Sequence, residues 1–130
     1  MRKKYQFGVN YVSTYAPGST YAGLAGPDGQ ILIVEGENVE VEPPRRLVQT
    51  YRAMWSDSAK AAGTTRVTCE IEPIADSCRL IVTHDQLPEG VNPEIWGGWP
   101  MVLSGLKTLV ETGELLTTPG SLRWTTPPSR

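Results

Sequence analysis

The sequence predicts an α+β domain: a curved antiparallel sheet of about six strands wrapped around one long C-terminal helix. Three observations carry this. Residues 66–73 and 78–85 alternate apolar and polar side chains, the period of strands with one wet and one buried face, and a short turn joins them. Residues 98–110 then switch to helical spacing and are strongly apolar. Upstream, further strand-like runs follow one another through short Pro/Gly turns, so the sheet is a meander without crossover helices.

Taken in order, residues 6–16 (QFGVNYVSTYA) are rich in Val, Tyr and Phe and read as a strand, closed by Pro17-Gly18. Residues 19–26 form a second, weaker strand, and Pro27-Asp28-Gly29 turns the chain again. Residues 30–42 form the third. Gly36 interrupts it, which marks a bulge or a close approach by another group. Pro43-Pro44 ends that strand, and Leu47–Met54 is the fourth. Residues 55–64 (WSDSAKAAGT) are small and polar, a loop with room for a helical turn.

In the fifth strand Val67, Cys69 and Ile71 share one face, with Arg66, Thr68, Glu70 and Glu72 on the other. In the sixth, Leu80, Val82 and His84 oppose Arg79, Ile81, Thr83 and Asp85. A loop at 86–97 follows, in which Asn92 can cap a helix start and Pro93 suits its first turn. Pro100 forces a kink or a later start. From there Trp99, Val102, Leu103, Leu106, Leu109 and Val110 make one broad apolar face, and Gly113 can end the helix. The domain is thus expected over residues 1–115. Residues 116–130 are Pro/Thr-rich, lack periodicity and read as a flexible tail.

The totals exclude several classes. A chain of 130 residues suits one domain with a real core. Net charge is −2 with 20% charged residues, and the basic residues are scattered, so nucleic acid is not an expected partner. No apolar run approaches the roughly 20 residues of a membrane span. The start, MRKKYQFGVN, has basic residues but no apolar core behind them, so no secretory signal is read there and the cytoplasm is the expected compartment. If the hairpin turn centres on Asp76, Cys69 faces Thr83 and Cys78 faces Ile74. The two sulfurs are then too far apart to bond, and both are expected as reduced, packed thiols.

The runs EGENVEVEPPRRLVQTYRAMW, TTRVTCEIEPIADSCRLIVTHDQL and GWPMVLSGLKTLVETGE, in this order, resemble the activator-of-heat-shock-protein-90-ATPase homologue family of the START-like (SRPBCC) helix-grip superfamily. The resemblance spans roughly Tyr5 to Leu115. It implies a helix-grip fold with a cavity between sheet and helix, and many superfamily members bind lipids or other hydrophobic molecules there. Eukaryotic co-chaperones of the family carry a further N-terminal domain, and nothing here resembles it. The resemblance also implies a first strand and two short helices ahead of the segment that starts here. MRKKYQFGV corresponds to the end of the second helix running into the second strand. Strand Cys78–Asp85, which pairs with that first strand in the family, is therefore expected to expose its edge, and a second copy of the chain is the expected cover.

The single histidine, His84, admits two readings: a polar hook for a ligand in an apolar cavity, or a hydrogen-bonded core histidine. With no metal-ligand set around it, no metal and no cofactor is expected. Glu70 and Glu72 are expected in solvent. Glu35, Glu37, Glu40 and Glu42 are expected to pair across strands with Arg45, Arg46, Arg52 or Arg66. Ser104 lacks a nucleophile elbow, and Gly97-Gly98 lacks the lysine of a phosphate loop. Trp96 and Trp99 either line a pocket mouth or pack the helix start. Tyr11, Tyr15, Tyr21 and Tyr51 are strand residues able to place hydroxyls in a cavity.

The functional expectation is binding of a hydrophobic small molecule or lipid. Its walls would be Val67, Cys69, Ile71, Leu80, Val82 and His84 from the hairpin and Trp99, Val102, Leu103 and Leu106 from the helix. A protein-interaction or co-chaperone-like module is the second class and a START-like enzyme the third. The expected inner face, with one histidine and no carboxylate, argues against the third.

Overall fold

The computed structural model describes residues 9–26 and 28–114. Within them the chain forms β1 (Asn10–Val12), β2 (Thr20–Ala25), β3 (Ile31–Glu42), β4 (Arg46–Ala53), α1 (Asp57–Lys60), β5 (Thr64–Ile74), β6 (Ser77–Asp85), α2 (Glu94–Gly97) and α3 (Trp99–Thr112). The six strands make one sheet in the order β1-β2-β3-β4-β5-β6, every neighbour antiparallel. The expected meander and C-terminal helix are both present. The opening of the first strand, residues 6–8, and the tail at 116–130 lie outside the described residues.

Register assigns the inner face. Tyr11 faces Gly23, Gly23 faces Val34, and Val34 faces Ala53. Tyr21 faces Gly36, Asn38 faces Gln49, Gln49 faces Val67, and Cys69 faces Val82. Opposed residues of a ladder share a face, so these side chains form one wall. Val34 and Val48 are fully buried, each worth about 2 kcal/mol of transfer free energy.

Gly36 marks a close approach, as its place in the strand predicts. A Cβ there would sit 2.2 Å from the Thr50 carbonyl oxygen and 2.8 Å from the Tyr21 ring. Tyr21 uses that space to donate its hydroxyl to the same carbonyl, at 2.6 Å. The register shift of β3 against β4 falls nearby, between Asn38 and Glu40.

The helical turn in the 55–64 loop is α1, capped by Ser56, whose hydroxyl accepts from the Ala59 N–H at 3.1 Å. Ala59 is buried with Ala53 and Ile95, tying α1 and α2 to the end of β4. Asn92 accepts from the Glu94 N–H at 3.0 Å, and the chain breaks at Gly98 before α3 starts with Pro100 in its first turn. Gly113 ends α3 at φ 77°, donating to the Leu109 carbonyl at 2.8 Å.

Three expectations need correction. The hairpin turn is two residues, Ala75-Asp76, so Cys69 pairs with Val82 and Cys78 with Pro73. The side chains keep their faces relative to the core, and the cysteines stay apart and free, but Cys78 is exposed rather than packed. Val110 is 74% exposed, because the apolar stripe of α3 is narrower than its spacing implied. Among the described residues Glu37 has no ion-pair partner, and its N–H donates to the Thr50 hydroxyl at 2.8 Å. Glu42 meets Arg45, Glu40 and Glu70 share Arg46, and Glu35 lies 4.0 Å from Arg52.

Candidate functional site

A hollow of about 510 Å³ lies between the inner face of the sheet and α3. Its sheet wall is Val9, Tyr11, Tyr15, Tyr21, Leu47, Gln49, Tyr51, Val67, Cys69, Leu80 and Val82. Its helix wall is Trp99, Val102, Leu103, Leu106 and Leu109, spaced so that one stripe of α3 faces the sheet. These helix side chains are only half-buried, since they look onto the hollow instead of closing against the strands. A second hollow of about 340 Å³ adjoins the first, sharing Tyr15, Leu47, Cys69 and Leu80, and runs towards Arg45 and Arg46.

The expected wall residues divide into three groups. Val67, Cys69, Leu80, Val82, Trp99, Val102, Leu103 and Leu106 all line the main hollow. Ile71 lines the adjoining one and is 42% exposed. His84 lines neither.

His84 sits behind the wall in a closed relay. The Trp99 indole N–H donates to its Nδ1 at 3.1 Å. The Thr65 hydroxyl donates to the Tyr51 carbonyl at 3.1 Å, so its oxygen accepts from Nε2–H of His84 at 2.7 Å. Both ring nitrogens are occupied, and the proton rests on Nε2. Edge-on contacts with the rings of Tyr51 and Trp99, at 4.9 and 6.1 Å, complete the setting. Burial pushes the imidazole pKa below its usual value, against a smaller opposing pull from Asp85. The residue is neutral and braces Trp99 from behind.

Sequence reasoning left the tyrosines unplaced, and they matter most for the polar character of the site. Tyr11, Tyr15, Tyr21 and Tyr51 all line the hollow. Burial pushes the Tyr21 and Tyr51 phenol pKa values well up, so both stay protonated donors. Gln49 is the other polar wall residue; its amide N–H donates to Asn38 Oδ1 at 2.8 Å. Asn38 is fully buried and held by donating to the Ser13 and Ser19 hydroxyls, at 2.9 and 3.0 Å. Register could have paired Gln49 with Asn38, but only once the bulge position was known.

Burial raises the Cys69 thiol pKa, which keeps it a weakly reactive thiol in an apolar wall. Among the described residues, no His/Cys/Asp/Glu group of three or more could hold a metal ion. Among the same residues, no helix is long and apolar enough to cross a membrane. Trp96, unlike Trp99, is exposed and takes no part in the wall.

A curved antiparallel sheet closed by one C-terminal helix over an apolar hollow defines a START-like helix-grip domain. This chain belongs to the family described as Activator of Hsp90 ATPase homolog 1-like protein, whose model matches residues 3–111. Among solved structures it is similar to CalU16 from Micromonospora echinospora. The crystal structure of that protein superposes with a TM-score of 0.63 at 19% identity, covering 83% of this chain and 60% of the other. The solution NMR structure gives 0.64 at 21% identity, covering 88% and 55%. At such identities the likeness speaks for the fold alone, and this chain spans less than two thirds of the length of CalU16. No curated protein matches this chain.

Proposed function

We propose that the chain binds a hydrophobic small molecule or lipid in the hollow between the sheet and α3. One observation carries this reading. The apolar stripe of α3 and the inner faces of β4 to β6 stand apart across about 510 Å³, within the size range of small-molecule sites. A domain needing that stripe only for its core would close the gap, since each unfilled volume forfeits packing and transfer energy. Val67, Cys69, Leu80, Val82, Trp99, Val102, Leu103 and Leu106 form the wall in this reading, Ile71 lines an extension, and His84 supports Trp99. Catalysis gains nothing from His84, whose two nitrogens are both engaged within the protein.

A second reading concerns β6. It is an edge strand of nine residues, and among the described residues nothing pairs with its outer side. Such an edge presents unpaired backbone donors and acceptors. We propose that a second copy covers it, making a homodimer. The two free cysteines fit a reducing compartment, so the cytoplasm is part of the same proposal, to be checked by cell fractionation.

Native mass spectrometry of the purified chain tests both readings together. A retained apolar adduct of small-molecule mass and a dimer peak are expected. A bare monomer that takes up no added hydrophobic compound contradicts both.

A further inference from the structure

We propose that the hollow selects uncharged ligands, apolar in bulk with one hydroxyl-like polar group, which Tyr51 and Gln49 read from the floor. This deepens the ligand-binding proposal and rests on it. Among the described residues the wall contains no Asp, Glu, Lys, Arg or His. A carboxylate or ammonium placed inside would lose its hydration and meet no counter-charge, which is strongly unfavourable. Two arginines line the extension, and both are paired: Arg45 with Glu42 at 2.7 Å, Arg46 with Glu40 and Glu70 at 3.0 and 2.8 Å.

The wall is not merely greasy, however. Gln49 and Tyr51 occupy successive inward positions on β4, roughly 7 Å apart along the strand. The orientation of the Gln49 amide is fixed by its neighbours. Asn38 spends its NH₂ on the Ser13 and Ser19 hydroxyls, so its Oδ1 must accept, and the Gln49 NH₂ must donate to it. Among the described residues, that leaves Oε1 of Gln49 as an acceptor with no protein partner. The Tyr51 ring packs against His84, and among the described residues its hydroxyl likewise has no protein partner. Neither polar atom is sealed, since among the described residues no fully buried side-chain polar atom lacks a hydrogen bond, and both residues line the hollow. The floor thus offers the Tyr51 hydroxyl, which can donate and accept, beside the Gln49 oxygen, which only accepts. A ligand hydroxyl can accept from Tyr51 or donate to Gln49. A carboxylate meets the donor but faces the Gln49 oxygen, and the missing cation cannot compensate.

Displacement of the uncharged fluorescent probe N-phenyl-1-naphthylamine decides this. At pH 8, 1-decanol should displace the probe at a concentration at least about 10-fold below that of decanoate. Tyr51→Phe should weaken decanol about 2- to 10-fold, the value of one neutral hydrogen bond, with the circular dichroism spectrum unchanged. Decanoate competing as well as decanol, or a folded Tyr51→Phe that binds decanol like the wild type, overturns the proposal. If that variant does not fold, the wild-type ratio alone decides. Absence of saturable probe binding defeats the underlying reading as well, and is distinguishable from loss of selectivity.

Discussion

Trp99 and His84 are joined by a hydrogen bond from the indole N–H to Nδ1, 3.1 Å long, between the first residue of α3 and the penultimate residue of β6. This bond anchors the helix start to the sheet at one end of the hollow. It also dictates the charge of the histidine. Protonating Nδ1 would set two N–H donors against each other and break the link.

Stability should therefore fall in mild acid. The folded-state pKa of His84 is lowered by burial, so the unfolded chain binds the proton more readily. The contribution is fully present above about pH 6.5, the ordinary histidine value, and is lost as pH falls from there through the folded-state pKa. His84 is the sole histidine, so a comparison with His84→Gln separates its contribution from that of every other group. Urea midpoints measured at pH 8 and pH 5 should drop for the wild type and differ far less for His84→Gln. Equal pH slopes for the two would contradict this account.

Gly36→Ala should cost about 3 kcal/mol or more in urea unfolding, because backbone cannot yield as a side chain can. The added methyl would meet the Thr50 carbonyl oxygen at 2.2 Å and the Tyr21 ring at 2.8 Å. Gly97→Ala, where nothing lies within 4 Å, is the control and should change stability by less than about 1 kcal/mol. Similar losses at both positions would refute the steric explanation.

Asn38→Ala should destabilise by about 3 kcal/mol, since it strips partners from Gln49, Ser13 and Ser19 at a fully buried position. Chemical denaturation reports the loss directly. A change below about 1 kcal/mol would mean that the buried amide is not the hub its contacts describe.

Much of this architecture was legible in the chain. Alternation in 66–73 and 78–85 gave both strands and the correct inner faces, because one apolar face fixes side-chain parity. It could not give the exact pairing, since the two-residue turn with Ala75 at φ 52° is not a usual glycine or asparagine turn. Helical spacing found the wall residues of α3 but overextended to Val110, because periodicity does not say how wide a facing surface will be. His84 was placed on the right face, yet its two partners, Thr65 and Trp99, lie 19 and 15 residues away, beyond any local pattern. The Asn38–Gln49 floor depended on a bulge that composition does not locate.

The central claim is that the space between sheet and helix is a binding cavity. Fluorescence titration with N-phenyl-1-naphthylamine tests it most directly, comparing Leu103→Trp, which fills the hollow, with Val110→Trp, which adds the same bulk to the exposed side of α3. Saturable binding is expected for the wild type and for Val110→Trp, and its loss for folded Leu103→Trp. No saturable binding by the wild type, or equal binding by both variants, would contradict the account.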